Sequence, residues 1–138
     1  QLILNSKKNI IIDDYAHHPN EIIAVWNTLK DLFPNEKKCV IFQPHLYSRT
    51  KDFMNDFANA LSKFDRVILL PIYPAREKPI DGIKSSVLQK KIISKNKVEL
   101  VQREELLHVL NNLPEKVKIT LGAGDIGVEI NKIKNKLK

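Results

Sequence analysis

Short apolar runs alternate along this chain with segments whose apolar residues recur at helical spacing. Five such runs are found, at Asn9 to Ile12, Cys39 to Phe42, Arg66 to Leu70, Val98 to Val101 and Val117 to Leu121. They are apolar nearly throughout rather than alternating with polar residues, which is typical of parallel strands covered on both faces. The pattern therefore predicts an α/β fold, a three-layer Rossmann-like sandwich around a mostly parallel sheet.

The segments between these runs predict amphipathic helices. Thr50 is expected to cap the second helix, and the stripe that this helix buries is expected to comprise Phe53, Phe57, Leu61 and Phe64. The last helix is expected to carry buried residues from Ile126 to Leu137. Residues 71–83 contain three prolines and one glycine, so we predict a long irregular loop there.

Length and composition favour one domain, spanning residues 1–138, that needs no disulfide or structural metal. Cys39 is the single cysteine and lies within an apolar run, which favours a buried thiol in a reducing compartment, the cytoplasm. No apolar run approaches the length of a membrane span, so no membrane contact is expected. The net charge is +7, but aromatic residues do not interleave with the lysines, so nucleic acid is not an expected partner. A start at Gln1 rather than Met suggests a fragment of a longer protein.

Two polar segments each follow directly on an apolar run and lead into a predicted helix. DDYAHHPNE occupies residues 13–21, and QPHLYSRT occupies residues 43–50. In an open parallel sheet, the loops that leave the carboxyl ends of strands form the ligand crevice. The side chains suited to binding or proton transfer in these segments are Asp13, Asp14, His17, His18, His45 and Arg49. We therefore expect a functional site where the two segments meet.

The residue types alone leave several roles open. Asp14 is suited to accept hydrogen bonds from ribose hydroxyls, and Tyr15 and His17 to meet a planar or anionic group, but the same segment also contains ordinary helix-start residues. Arg49 suits a carboxylate or phosphate bidentately, or else it is an exposed side chain paired with Asp52. The two adjacent histidines point apart on an extended segment, so no metal site is expected.

The GAGDIG segment at residues 122–127 satisfies G-x-G-x-x-G and follows an apolar run. A dinucleotide fingerprint, however, belongs to the first strand of its unit and is followed by an acidic residue about 20 positions later. Close packing of a helix on a strand is the expected role instead, with backbone amides that can face an anion. No G-x-x-x-x-G-K-[ST] segment occurs, so ATP chemistry would need a phosphate-binding loop from elsewhere.

DDYAHHPNE, FQPHLYSRT, PIYPAREKPIDGI and LGAGDIG resemble, in this order and spacing, the C-terminal domain of the Mur ligases of peptidoglycan synthesis. The resemblance covers essentially the whole chain, and QPHLYSRT points to the alanine-adding branch, although the family often has arginine where this chain has Leu46. The fold and activity implied are those of the last domain of a three-domain, ATP-dependent ligase. Its N-terminal domain would bind the UDP-sugar, and its central domain would hold the phosphate-binding loop and Mg²⁺.

The reaction implied by this resemblance joins L-alanine to UDP-N-acetylmuramate through an acyl phosphate, and the isolated fragment is expected to be inactive. Asp14 would bind the ATP ribose, and Tyr15 and His17 would flank the amino acid and the nucleotide. His45 and Arg49 would meet the L-alanine carboxylate or the reacting acyl group. His17, His45 and Arg49 are thus the catalytic candidates. The alternatives are a ligase of the same family that recycles a murein tripeptide, and a stand-alone nucleotide- or nucleic-acid-binding α/β module.

Overall fold

One six-stranded sheet forms the centre of the molecule in the computed structural model, which describes residues 1–94 and 98–138. The strands are β1 Leu2–Asn5, β2 Ile10–Asp14, β3 Lys38–Phe42, β4 Arg66–Leu69, β5 Val98–Leu100 and β6 Val117–Leu121. Their order across the sheet is β1-β2-β6-β3-β4-β5. β1 runs antiparallel to β2, and the other neighbouring pairs are parallel. The predicted mostly parallel sheet is therefore confirmed.

Among the described residues, six α-helices connect or follow these strands. They are α1 Pro19–Leu32, α2 Tyr47–Asp52, α3 Met54–Leu61, α4 Ser85–Lys91, α5 Leu106–Asn112 and α6 Ile126–Ile133. Short 3-10 turns at Arg103–Glu105 and Lys134–Lys136 precede α5 and follow α6. Within the described residues, every helix is too short or too polar to cross a membrane.

The sheet separates two apolar cores, because successive side chains of a strand point to opposite faces. Val40 and Phe42 of β3 lie in the core that also contains buried residues of α1, α3 and α4. Cys39 and Ile41 lie in the core formed with α5 and α6. Helices therefore cover both faces, and the predicted three-layer sandwich is confirmed. Cys39 is fully buried, and this burial raises the pKa of its thiol, which disfavours the reactive thiolate.

Strand β1 was absent from the sequence prediction. It lies at the edge of the sheet, where Leu2 is 58% exposed and Asn5 is exposed. The sequence rule for buried parallel strands requires a continuous apolar run. An antiparallel edge strand with one open side has no such requirement, so the search for continuous apolar runs does not detect this four-residue strand.

The second predicted helix starts earlier than expected and is divided in two. Thr50 was expected to cap it, but α2 already begins at Tyr47, and Thr50 lies inside α2 as a buried residue. Phe53 separates α2 from α3 with φ −116° and ψ 22°. The capping prediction was wrong because the Thr50 hydroxyl donates backwards to the Leu46 carbonyl, at 2.7 Å, instead of accepting a bond from the next turn. The last helix is also shorter than predicted and ends at Ile133.

Phe57 and Phe53 provide a matched test of the predicted apolar stripe. Phe57 is fully buried with its ring centroid 5.4 Å from that of Phe42, whereas Phe53 is 39% exposed. We expect Phe57→Ala to lower the free energy of unfolding by about 3–5 kcal/mol through loss of burial and the cavity left behind. Phe53→Ala should cost less than about 1 kcal/mol. Urea denaturation of both variants measures the difference, and equal losses would contradict this assignment of the core.

Candidate functional site

Three loops lie side by side at the carboxyl edge of the parallel strands. Because β6 lies between β2 and β3, the 122–125 loop separates the two polar segments along this edge. The Gly122 amide donates to the Asp14 carbonyl at 3.3 Å, and the Gln43 amide donates to the Leu121 carbonyl at 3.0 Å. The two polar segments nevertheless meet, since the ring centroids of His17 and His45 are 5.8 Å apart. The structure therefore brings the candidate histidines together as expected.

His45 and Arg49 form a hydrogen-bonded pair, with Arg49 Nη1 lying 3.0 Å from His45 Nδ1. A guanidinium can only donate, so this contact requires a lone pair on Nδ1 and therefore a neutral imidazole that carries its proton on Nε2. Burial, the charge of Arg49 and the neighbouring His17 lower the pKa of His45, which favours the same neutral form. In residues 1–94 and 98–138, the salt bridges do not include Arg49, so the alternative pairing with Asp52 is not observed.

A residue with positive φ directs the chain from β3 into α2. Leu46 has φ 72° and ψ 138°, a conformation that costs a non-glycine residue on the order of 1–3 kcal/mol and persists only where the surroundings hold it. The Leu46 amide donates to the Tyr73 carbonyl at 2.9 Å. Its carbonyl accepts both the hydroxyl and the amide of Thr50, at 2.7 and 3.2 Å. These bonds fix the turn that places Arg49 beside His45.

The start of α1 fixes the position of His17. Its Nδ1 lies 3.0 Å from the Tyr15 carbonyl oxygen and 3.6 Å from Glu21 Oε1. Glu21 Oε1 also accepts the backbone amides of His17 and His18, at 3.2 and 2.9 Å, and these bonds lower the pKa of Glu21. The helix-start and functional interpretations of this segment are therefore compatible, because the cap of α1 also orients His17. Tyr15 is 70% exposed and meets the edge of the His17 ring.

The two aspartates that end β2 point to opposite faces of the sheet. Asp13 accepts the Thr120 hydroxyl at 2.6 Å, and burial raises the pKa of its carboxyl group. Asp14 accepts the Ala16 amide at 2.9 Å and is only partly buried. A carboxylate accepts several hydrogen bonds, so Asp14 retains capacity for a ligand donor at the edge of the crevice. Asp13 instead packs between β6 and α6.

Gln43 joins the QPHLYSRT segment to the 122–125 loop and to α6, although the sequence did not single it out. It is 5% exposed, its Nε2 donates to Asp125 Oδ1 at 2.5 Å, and its Oε1 accepts the Ile126 amide at 3.1 Å. Arg103 also donates to the Asp125 carboxylate. The amide thus connects β3 to the start of α6. The sequence indicates Gln43 only by its position, directly after the apolar run that ends at Phe42 and two residues before His45.

Residues 71–83 have no helix or regular strand, as predicted, and they cover the QPHLYSRT segment from one side. The Tyr73 ring stacks on the His45 ring, with centroids 5.6 Å apart and planes 12° apart. Glu77 accepts the backbone amide of Ser48 at 3.0 Å and also its hydroxyl. The sequence predicts this loop but not these two residues, because both act through contacts distant in sequence.

The GAGDIG glycines allow close packing. A Cβ atom on Gly124 would lie 2.5 Å from Tyr73 Cγ and 2.6 Å from Gln43 Oε1. A Cβ atom on Gly122 would lie 2.9 Å from Ile126 Cγ2. Glycine is therefore required at position 124 for contact with Tyr73 and Gln43, and at position 122 for contact with Ile126 of α6. Both contacts agree with the packing interpretation of this motif. Among the described residues, no group of three or more histidine, cysteine, aspartate or glutamate side chains is arranged to hold a metal ion.

Residues 1–125 match the family model described as "Mur ligase, glutamate ligase domain". The chain belongs to the Mur ligase family. It is 53% identical over 134 residues to the UDP-N-acetylmuramate–L-alanine ligase of Flavobacterium psychrophilum, a match that covers 97% of this chain and 30% of that protein. The Mur ligase chain thus spans about three tenths of the length of the curated relatives it matches. The resemblance inferred from the motifs is confirmed.

Two solved structures share the fold of this Mur ligase chain. A murein peptide ligase from Psychrobacter arcticus aligns with a TM-score of 0.73 at 14% identity, covering 98% of this chain and 28% of that one. A bifunctional folylpolyglutamate synthase/dihydrofolate synthase from Yersinia pestis, complexed with AMPPNP and Mn ion, aligns with a TM-score of 0.67 at 15% identity, covering 99% and 30%. At these identities the likeness concerns the fold alone.

Gly124 and Gly127 provide a test of the packing role of the motif. Gly124→Ala should lower the free energy of unfolding by about 1–3 kcal/mol, because the new methyl group overlaps Tyr73 and Gln43. Gly127 lies in α6, and a Cβ there would be 3.5 Å from Asp13 Oδ2, an ordinary contact. Gly127→Ala should be neutral or stabilise by up to about 1 kcal/mol through helix propensity. Thermal denaturation compares the two, and a reversed order would refute the packing role.

Proposed function

We propose that this chain is the C-terminal domain of an ATP-dependent ligase that joins L-alanine to the carboxylate of UDP-N-acetylmuramate in peptidoglycan synthesis. The observation that carries the proposal is the Arg49 guanidinium, which is held beside a neutral His45 without a salt bridge among the described residues. Such a cation at the crevice edge is suited to a small carboxylate. The name of the Flavobacterium psychrophilum relative, at 53% identity, supports the same activity.

Arg49 and His45 would hold the amino acid in this proposal. The guanidinium of Arg49 binds the alanine carboxylate, which leaves the amine free to attack. His45 keeps its Nε2 proton available as a donor to the alanine carboxylate or to the reacting acyl oxygen, because Nδ1 is already occupied by Arg49. Donors fixed before the reaction stabilise developing negative charge without a reorganisation cost.

The bond changes follow from the chemistry of an acyl phosphate. ATP would transfer its γ-phosphoryl group to the muramate carboxylate, and the bond to the bridging oxygen would break so that ADP leaves. The alanine amine then forms a C–N bond to the acyl carbon, the tetrahedral intermediate collapses with cleavage of the C–O bond to phosphate, and the amine loses a proton. His17 lies beside His45 at the edge of this crevice and would line the reacting groups. These residues contribute mainly position and charge complementarity.

Asp14 and Tyr15 would face the nucleotide side. The Asp14 carboxylate accepts one backbone hydrogen bond and has capacity left for the ribose hydroxyls of ATP. Tyr15 exposes most of its ring beside His17, where it can pack against a bound group once another domain closes over it. We assign Mg²⁺ mainly to the central domain, together with the phosphate-binding loop that the resemblance implies there.

The chain would act together with an N-terminal domain that binds UDP-N-acetylmuramate and a central domain that supplies the phosphate-binding loop. Without such a loop, the isolated chain should not catalyse ligation. We place the reaction in the cytoplasm, where a buried unpaired thiol such as Cys39 is compatible with the reducing conditions. Neither nucleic acid nor a membrane is a partner in this proposal.

The two alternatives have weaker support. The recycling ligase has support only from a fold relative named a murein peptide ligase, at 14% identity, whereas the relative named an alanine ligase is 53% identical over nearly the whole chain. A stand-alone nucleotide- or nucleic-acid-binding module would be supported by the net charge of +7. It has no support, however, from the family model or from the relative at 53% identity.

The proposal assigns Arg49 to the amino acid and Asp14 to the nucleotide, and the KM values for L-alanine and ATP in two variants test this assignment. In the complete enzyme, Arg49→Ala should raise KM for L-alanine or lower turnover by about one to three orders of magnitude, the scale of a lost charge-assisted contact, with KM for ATP changed much less. Asp14→Ala should raise KM for ATP more than KM for alanine. Phosphate-release kinetics measure both, and each variant is the control for the other. The opposite pattern, or ligation by the isolated chain, would overturn the proposal.

A further inference from the structure

The first turn of α2 has no side-chain cap of its own. Leu46 occupies the N-cap position with φ 72°, and it supplies no side-chain hydrogen bond to the turn that follows. This turn carries Ser48 and Arg49, so the position of the guanidinium depends on how the turn is held. The first backbone amides of any helix need acceptors from outside the helix.

Glu77 supplies that acceptor from the 71–83 loop, 29 residues further along the chain. One carboxylate oxygen accepts the Ser48 backbone amide at 3.0 Å, and the other accepts the Ser48 hydroxyl. These two bonds lower the pKa of Glu77 and keep it ionised at neutral pH. A negative charge is also favourable at the N-terminal end of a helix.

The same loop holds the segment at a second point. The Tyr73 ring stacks on His45, the Tyr73 carbonyl accepts the Leu46 amide at 2.9 Å, and the Tyr73 amide donates to the Pro44 carbonyl at 2.8 Å. His45 and Leu46 are thus held by Tyr73, and Ser48 is held by Glu77. Arg49 follows directly after Ser48 and bonds back to His45, so the loop contacts the segment at His45 itself and at the residue before Arg49.

We infer that Glu77 is a positioning residue for the amino-acid site, acting through Ser48 to hold Arg49 and His45 in the orientation that receives the alanine carboxylate. Glu77 does not need to touch the substrate for this role. The inference rests on the proposed function, because it assigns to Arg49 and His45 the substrate named there. It adds that the 71–83 loop determines the affinity for the amino acid.

The charge of Glu77 also acts on His45, which gives a readout beside the kinetics. The charged and titratable groups that act on His45 are Arg49, His17 and Glu77. Burial and the first two lower the pKa of His45, whereas Glu77 acts in the opposite direction. Glu77→Gln keeps the shape and one acceptor oxygen but removes the charge. The pKa of His45 in that variant should therefore be lower than in the wild-type protein.

The test compares Glu77→Ala, Glu77→Gln and Asp81→Ala in the complete ligase. Glu77→Ala should raise KM for L-alanine about 10- to 100-fold and change KM for ATP less than about 3-fold, as expected for a misplaced binding group. Glu77→Gln should recover most of the alanine affinity. Asp81→Ala, which removes an exposed carboxylate of the same loop, should match the wild type. Ring NMR of His45, assigned with a His45→Gln variant, measures its pKa in Glu77→Gln.

Unchanged alanine KM in Glu77→Ala, equal increases in both KM values, or an unchanged pKa of His45 in Glu77→Gln would each overturn the inference. If Glu77→Ala fails to fold, Ser48→Ala decides: it removes the hydroxyl bond to Glu77 and should raise KM for L-alanine more than KM for ATP, and unchanged KM values would overturn the inference. The proposed function fails separately: wild-type ligase that does not join L-alanine to UDP-N-acetylmuramate refutes it, whereas an active wild type with an indifferent Glu77 refutes only the positioning role.

Discussion

The pairing of β6 with both β2 and β3 is the constraint on which the site depends. It places three loops at one edge of the sheet, with the glycine-rich loop in the middle and a polar segment on either side. The middle loop cannot carry a side chain at Gly124, because Tyr73 and Gln43 occupy the space that this side chain would need. His17 and His45 follow strands that are separated by β6, and they meet across this close-packed loop.

The charge around the proposed amino-acid site is set by Arg49, His45 and Glu77. The Arg49 cation bonds to a neutral His45, and the ionised Glu77 lies behind the same turn, bonded to Ser48 rather than to Arg49. Neutralisation of Arg49 is therefore left to a ligand in our account. The proposed nucleotide side instead presents the acceptor Asp14. This is half of a site, since the phosphate chemistry requires groups that the described residues do not contain.

The sequence allows prediction of the layers, the parallel strands and the two strand-end segments that meet at one edge of the sheet, because burial and strand-end position follow from local patterns. It does not allow prediction of the Gln43–Asp125 bond or the Glu77–Ser48 bonds, which join residues 82 and 29 positions apart. The positive φ of Leu46 also has no local signal, since leucine is an unusual residue for that conformation. Thr50 shows the reverse error: a typical capping residue is used inside a helix.

The central claim is that Arg49 and His45 bind the amino acid while Asp14 binds the nucleotide. A crystal structure of the complete enzyme with L-alanine and a non-hydrolysable ATP analogue tests it most directly. We predict the alanine carboxylate within hydrogen-bonding distance of the Arg49 guanidinium, and the ribose hydroxyls within hydrogen-bonding distance of Asp14. An alanine carboxylate bound by another domain, with Arg49 facing solvent, would contradict the account.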